Sequence, residues 1–267
     1  MKPLKKIILI FSIVFFCLSC EGQTIPSVGQ MILPRASSSC SADLLNGLIL
    51  VILGNDNTTG VINDVYSFDG TEGNVVKLQS PPTGGIYSYG FNGTSSWGQI
   101  PNPFNSRLSY TISAWVYLTG STSGHIIGDG RYDYSSVCPW IRYIGASGSL
   151  TYGPTTSYEG GNATSSYSLG LNLTGWYRIA YSISLNTLNT NFVSKLYVNG
   201  NLKKTFSGSS YFDGSGYEAN FMIGCYKQGS SKYGFTAFRI AHLMMWNRIL
   251  TDSEAMCDYN SGAVWYQ

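Results

Sequence analysis

From Leu44 onward the chain alternates apolar runs with clusters of turn-forming residues, and within the runs side-chain character changes at every second position. That period belongs to strands, whose successive side chains point to opposite faces. Tyr110-Thr-Ile-Ser-Ala-Trp-Val-Tyr-Leu118 is the clearest case, with Ile112, Ala114, Val116 and Leu118 on one face and Thr111, Ser113, Trp115 and Tyr117 on the other. Both faces carry bulk, which predicts a central strand. Trp176 to Ile183 repeats the design, setting Tyr177, Ile179, Tyr181 and Ile183 against Trp176, Arg178, Ala180 and Ser182. Lys195 to Val198 runs into Asn199-Gly200 and out through Leu202 to Phe206. Asn-Gly supplies the positive φ angles of a type I′ turn, so these two segments are predicted to pair antiparallel. A last strand is predicted from Phe235 to Trp246, followed by a short helix from near Asp252. Thr251 and Glu254 have the spacing of a capping box, in which each side chain satisfies a free backbone N–H at the helix start. No internal repeat is visible, which argues against propellers and solenoids. The predicted fold class is all-β, an antiparallel two-sheet sandwich with a short C-terminal helix.

The first residues add an address. Lys2, Lys5 and Lys6 precede an apolar run from Ile7 to Cys17, and Ser19 and Gly22 follow, so residues 1–22 read as an export signal. The run is too short for a bilayer span, which needs about 20 apolar residues. Leu18-Ser19-Cys20 has the form of a bacterial lipobox, which would lipidate Cys20 and give the chain a membrane anchor; cleavage after Gly22 is the alternative, since Cys17 stands where a lipobox prefers Leu. Residues 23–43 are rich in Ser, Pro and Gly without a period and read as a tether. Residues 44–267 suffice for one large all-β domain. The expected location is secreted or at the cell surface.

Removal of the signal leaves Cys40, Cys138, Cys225 and Cys257, an even number in an oxidising compartment. Four cysteines permit three pairings. The expected one joins Cys40 with Cys257, since terminal strands of a sandwich often lie together, and Cys138 with Cys225. The close Cys/His spacing of structural zinc is missing. Charged residues make up only 11% of the chain, and the net charge of +2 is spread without a basic stripe, so nucleic acid is a poor candidate partner.

Tyr66-Ser-Phe-Asp-Gly70, Phe91-Asn-Gly-Thr-Ser-Ser-Trp97, Tyr110-Thr-Ile-Ser-Ala-Trp-Val116, Gly175-Trp-Tyr-Arg-Ile-Ala180, Leu196-Tyr-Val-Asn-Gly200 and Trp246-Asn-Arg-Ile-Leu-Thr-Asp-Ser-Glu254 together resemble, in this order, the landmarks of laminin-G-like, concanavalin A-like jelly rolls. The similarity covers about Leu44 to Asn260. It implies two packed antiparallel sheets of about a dozen strands, with the closing helix against one edge. Trp115 and Trp176 then read as core aromatics. Fold does not fix function, because jelly rolls host lectins, adhesion modules and glycosidases alike.

Glycosidase chemistry needs two carboxyl groups, about 5 to 5.5 Å apart in retaining enzymes, which related glucanases place on one strand as E-x-D-x-E or E-x-D-x-x-E. No such run occurs: Glu72, Glu159, Glu218 and Glu254 are solitary. Of the two histidines, His125 and His242, the second sits in the apolar last strand and reads as a core residue. The chain is therefore expected not to be an enzyme. The resemblance suggests a calcium ion at the sandwich rim, and Asp64, Asp69 and Asp129 are the candidate ligands, although Asp and Asn are also ordinary turn residues. For ligand binding, the aromatic and Gly-flanked segment holding Tyr132, Tyr134 and Trp140 is the first candidate, and Trp97 with Tyr87 and Tyr89 the second. Asn57, Asn92, Asn162 and Asn172 begin N-x-S/T sequons. The expected function is a non-catalytic extracellular binding or adhesion module for a glycan or surface protein, with calcium as a candidate cofactor. A structural subunit of a surface assembly, or a glycoside hydrolase, is the alternative.

Overall fold

The computed structural model describes residues 44, 46–52, 76–79, 87–101, 109–120, 123–129, 137–155, 165–170, 174–185, 191–209, 220–228 and 231–266. Its strands are β1 (Leu48–Ile52), β2 (Val76–Gln79), β3 (Tyr87–Asn92), β4 (Gly98–Pro101), β5 (Ser109–Thr119), β6 (Gly124–Asp129), β7 (Val137–Ile144), β8 (Ser149–Thr155), β9 (Ser165–Ser168), β10 (Thr174–Leu185), β11 (Asn191–Val198), β12 (Asn201–Ser209), β13 (Asn220–Ile223), β14 (Tyr226–Gln228), β15 (Ser231–Tyr233) and β16 (Ala237–Trp246); helix α1 spans Asp252–Tyr266. An eight-stranded sheet has the order β12-β11-β10-β5-β16-β3-β2, with β1 also paired to β16. A six-stranded sheet runs β4-β13-β6-β7-β8-β9, and β14-β15 is a separate hairpin. The pairing is antiparallel throughout, as a jelly-roll sandwich requires.

The alternation read from sequence decides what fills the sandwich. Ile112, Ala114, Val116 and Leu118 of β5, with Ile179, Tyr181 and Ile183 of β10, meet Ile127, Ile141, Tyr143, Tyr152, Phe221 and Ile223 of the opposite sheet in one buried cluster. β5 lies between β10 and β16 and is central, as its two bulky faces predict. Asn199 and Gly200 take φ values of 51° and 74°, the conformation the β11–β12 turn needs. At the helix start, the Thr251 N–H donates to Glu254 Oε2 at 2.7 Å and the Glu254 N–H donates to Thr251 Oγ1 at 3.2 Å, which completes the capping box. The chain ends of the domain are tied together: Trp246 Nε1 donates to the Leu44 carbonyl at 2.7 Å, and β1 pairs with β16.

The expected place of the helix changes, and of the two expected core tryptophans Trp115 is buried and Trp176 only partly so. The closing helix does not sit against an edge; it covers the outer face of the eight-stranded sheet near its centre. Trp115 is accordingly buried, but under α1 beside Tyr259 rather than between the sheets, while Trp176 is only partly buried beside it. The reason lies in the second faces of β5 and β10, which carry Trp115 and Arg178 and need a cover of their own. Ala255 packs on Ala180 and Tyr197. Gly200 lets the helix approach, since a Cβ there would lie 2.9 Å from Met256 Sδ and 3.0 Å from its Cα.

One ion pair fixes the helix in place. Arg178 and Asp258 are 2% and 1% exposed, and the guanidinium forks onto the carboxylate through Nη2 at 2.5 Å and Nε at 2.8 Å. Ser113 Oγ donates to the same carboxylate at 2.6 Å, and Arg178 Nη1 donates to the His242 carbonyl at 2.7 Å. His242 stands in a bulge of β16 with φ 47°, where the strand on that side changes from β3 to β1. A buried charge left alone is costly, whereas removing both partners of a pair is often neutral. Asp258→Ala should therefore lower the unfolding free energy by about 3 to 5 kcal/mol, and the Arg178→Met/Asp258→Leu double variant should recover most of that loss, as read by urea denaturation.

Candidate functional site

The inward alternation of the six-stranded sheet dictates what its other face presents. Gln99, Met222, Gly128, Trp140 and Gly153 stand opposite one another across β4, β13, β6, β7 and β8. Their strand neighbours Phe221, Ile223, Ile127, Ile141 and Tyr152 point into the core, so this row points outward. A second outward row holds His125, Arg142, Thr151 and Ser166. Glycine on both sides of Trp140 leaves its indole without cross-strand side chains, and aromatic rings take up the space instead. His125 lies 5.6 Å from the Trp140 ring and 4.8 Å from Tyr226, which stacks on Tyr233 at 5.8 Å. This chain of rings runs from Trp140, 8% exposed, to Tyr233, 45% exposed.

The hairpin carrying Tyr226 and Tyr233 is held against β6 by close backbone contact. The His125 N–H donates to the Gly234 carbonyl at 2.8 Å. A Cβ at Gly124 would lie 2.3 Å from that carbonyl oxygen, and one at Gly234, where φ is +62°, would lie 2.6 Å from the Tyr226 ring. Glycine on both sides of the crossing is thus a steric requirement. Trp97 reaches the same face from the loop after β3. Asn92 Oδ1 accepts the backbone N–H groups of Thr94, Ser95 and Ser96 at 2.9, 2.9 and 3.0 Å, which folds that loop into a compact turn. Trp97 then packs on Met222, Cys225 and Phe235, and Lys232 Nζ sits 3.8 Å above its ring.

Burial, and secondarily the Arg142 guanidinium, push the His125 pKa down to about 3. The imidazole is therefore neutral at ordinary pH and serves as one more ring in the stack. Burial likewise raises the Cys225 thiol to about 12, with Lys232 opposing weakly. The three carboxylates whose side chains are described, Asp252, Glu254 and Asp258, lie on α1 at the other side of the molecule and are paired with Lys195, Arg248 and Arg178.

Trp140 and Trp97 of the anticipated ligand-binding residues thus come to one face, whereas Tyr132 and Tyr134 lie outside the described residues. Tyr89, a member of the second aromatic group, is buried in the core at 3% exposure because it alternates inward with Phe91. Asp64 and Asp69 fall outside the described residues, as do Cys20 and Cys40; Asp129 ends β6 and Cys138 lies in β7, their side chains outside them too. Among the described residues no three His, Cys, Asp or Glu side chains come together as a metal site. The expected Cys138–Cys225 disulfide is not formed: Cys225 is a free thiol, buried with Trp97 and Met222. Cys257 is disulfide-bonded, and its partner lies outside the described residues. His125, Arg142 and the β14–β15 hairpin were not singled out by sequence as binding residues. A signal was present in Tyr226-Lys-Gln-Gly-Ser-Ser-Lys-Tyr233, whose near-mirror order about Gly229-Ser230 marks two short paired strands.

A second aromatic row, Arg239, Tyr117 and Trp176, lies beside α1 on the larger sheet. Tyr117 meets Trp176 edge-on at 5.4 Å, and the Arg239 guanidinium lies 5.3 Å from the Tyr117 ring.

Comparison with known proteins bears on the fold. The family model Laminin_G_3, described as the concanavalin A-like lectin/glucanases superfamily, matches residues 92–256. No curated protein matches the chain in sequence. Solved structures that resemble it include the botulinum neurotoxin serotype C1 binding domain, at 18% identity and a TM-score of 0.57. Others are a type C neurotoxin described as interacting with two ganglioside molecules, at 15% and 0.56, and the type DC binding domain in complex with rat synaptotagmin II, at 15% and 0.55. Each match covers 82% of this chain and 52% of the neurotoxin chain, so the chain spans about half the length of those proteins. At these identities the likeness is one of fold.

The neutral state of His125 has a measurable consequence. Its folded pKa of about 3 lies below the ordinary histidine value of 6.5, so the unfolded chain takes up a proton that the folded chain refuses. The associated stability is complete above pH 6.5 and is lost as pH falls toward 3. Between pH 7 and pH 5 the unfolding free energy should drop by about 2 kcal/mol on account of His125. His242, held down to about 3 by burial and Arg178, adds to the loss. Denaturation of His125→Gln at the two pH values should show about half the wild-type difference.

Proposed function

Because the chain belongs to the concanavalin A-like lectin/glucanases superfamily, we propose that it is a non-catalytic binding module, displayed outside the cell, that recognises a glycan or a surface protein. The observation that carries the reading is the run of rings Trp140, His125, Tyr226 and Tyr233 on the outer face of the six-stranded sheet. Rings graded from buried to exposed suit a ligand with an apolar face and a hydroxylated rim, because stacking gains contact area while the ligand's polar groups stay wet. The buried members are fixed in position before any ligand arrives, which lowers the ordering cost of binding. The ligands named for the neurotoxin structures, gangliosides and synaptotagmin, belong to the same two classes. Export by residues 1–22, attachment through Cys20, and calcium held by Asp64, Asp69 and Asp129 are separable parts of the proposal.

A glycan-array screen of the mature protein should give specific binding without release of reducing sugar. Tyr233→Ala should weaken the best ligand at least fivefold, on the order of 1 kcal/mol, with the unfolding midpoint unchanged. Array binding untouched by Tyr233→Ala removes this face from the reading, and sustained sugar release replaces the module by a hydrolase. Repeating the titration with EDTA tests calcium, since undiminished affinity eliminates it.

A further inference from the structure

We propose that the β14–β15 hairpin and Trp97 form an anion-recognition site, so that the saccharide bound on this face carries a carboxylate or sulfate group. The proposal rests on the reading of this face as a glycan-binding one. Lys227 and Lys232 stand directly opposite each other in the hairpin register, and their side chains therefore leave the same face of the ribbon. Like charges in opposed positions destabilise a strand pair, and strands of three residues make few ladder bonds of their own to offset that. A surface lysine so placed ordinarily pairs with a carboxylate or swings away into water. Among the described residues neither lysine has an ion pair, and Lys232 does not swing away: its ammonium is held 3.8 Å above the Trp97 ring. Trp97 in turn is fixed by the Asn92 turn and by its packing on Met222, Cys225 and Phe235.

Arg142 is a separate cation on the other side of the hairpin, the side that Tyr226 and His125 occupy. It faces outward opposite His125, and its Nε is buried without a hydrogen-bond partner. A guanidinium donor buried in that state is costly, and an oxyanion is its natural acceptor. The described carboxylates are all committed to ion pairs at α1. Two opposed lysines beside Trp97, with no counter-charge among the described residues, fit a ligand that brings the negative charge itself. Tyr226 and Tyr233 leave the opposite face of the ribbon from the lysines, so a saccharide stacked on the exposed Tyr233 ring would bring its acidic group to Lys232 and Lys227 across the hairpin edge.

Calorimetric titration of the full mature protein with an oligogalacturonate tetrasaccharide (carboxylate), a sulfated galactose tetrasaccharide (sulfate) and cellotetraose (neutral) tests the site. Binding of at least one acidic probe is expected, with cellotetraose at least tenfold weaker, and Lys227→Gln/Lys232→Gln should weaken the acidic probe about tenfold or more. The unfolding midpoint of that variant should change little, since relief of the repulsion offsets the lost contact of Lys232 with Trp97. Equal affinity for cellotetraose, or a double variant that binds the acidic probe as the parent does, overturns the anion site and leaves the glycan reading standing. A midpoint lowered by about 5 °C or more in the ligand-free double variant makes the lysines structural and overturns it as well. Binding of none of the three probes overturns the anion site together with the glycan reading.

Discussion

A β-sheet with large side chains on both faces must be covered twice, and that constraint organises this molecule. β5 and β10 present Ile, Tyr and Val to the opposing sheet and Trp115 and Arg178 to the outside. The outward set includes a buried guanidinium, which only a carboxylate with fork geometry can satisfy. Helix α1 provides that carboxylate in Asp258, together with the rings and methyl groups that cover Trp115 and Tyr197. The capping box, the Asn199-Gly200 turn and the bulge at His242 all support this one docking event. The turn holds Arg178 at the backbone as well, because Asn199 Oδ1 accepts the Arg178 N–H at 2.9 Å.

The larger sheet thus commits much of its outer face to stability. The smaller sheet has a different arrangement: among the described residues, the feature that crosses its outer face is the short β14–β15 hairpin, held by a glycine-to-glycine crossing and a stack of rings. Charge is divided in the same way. The described carboxylates neutralise Arg178, Lys195 and Arg248 around α1, while Arg142, Lys227 and Lys232 stand with the aromatic residues at the opposite face. A surface that keeps cations and rings but gives them few partners is suited to binding rather than to holding the fold.

Much of the fold was legible because its signals are local. Period-two alternation in Tyr110–Leu118 and Trp176–Ile183, the Asn-Gly turn and the Thr251/Glu254 spacing each act within a few residues, and each forms as read. The helix position was not legible, because it depends on Arg178 meeting Asp258 across 80 positions. The free state of Cys225 depends on its burial beside Trp97 and Met222, which cysteine counting does not register. The candidate site was half visible. Trp140 and Trp97 stood out as large aromatics, but the register that aligns Met222, Gly128, Trp140 and Gly153 on one face joins strands distant in sequence. His125 looked solitary in sequence and is central in space.

Nuclear magnetic resonance of the isotope-labelled protein, titrated with the saccharide it binds best, locates the ligand. Binding on the outer face of the six-stranded sheet should shift the Trp97 and Trp140 indole resonances and the amides of residues 226–228 and 231–233, with the amides of residues 252–260 unmoved. Shifts confined to α1, or to Tyr117, Trp176 and Arg239, would place the ligand on the other sheet and contradict binding at this face.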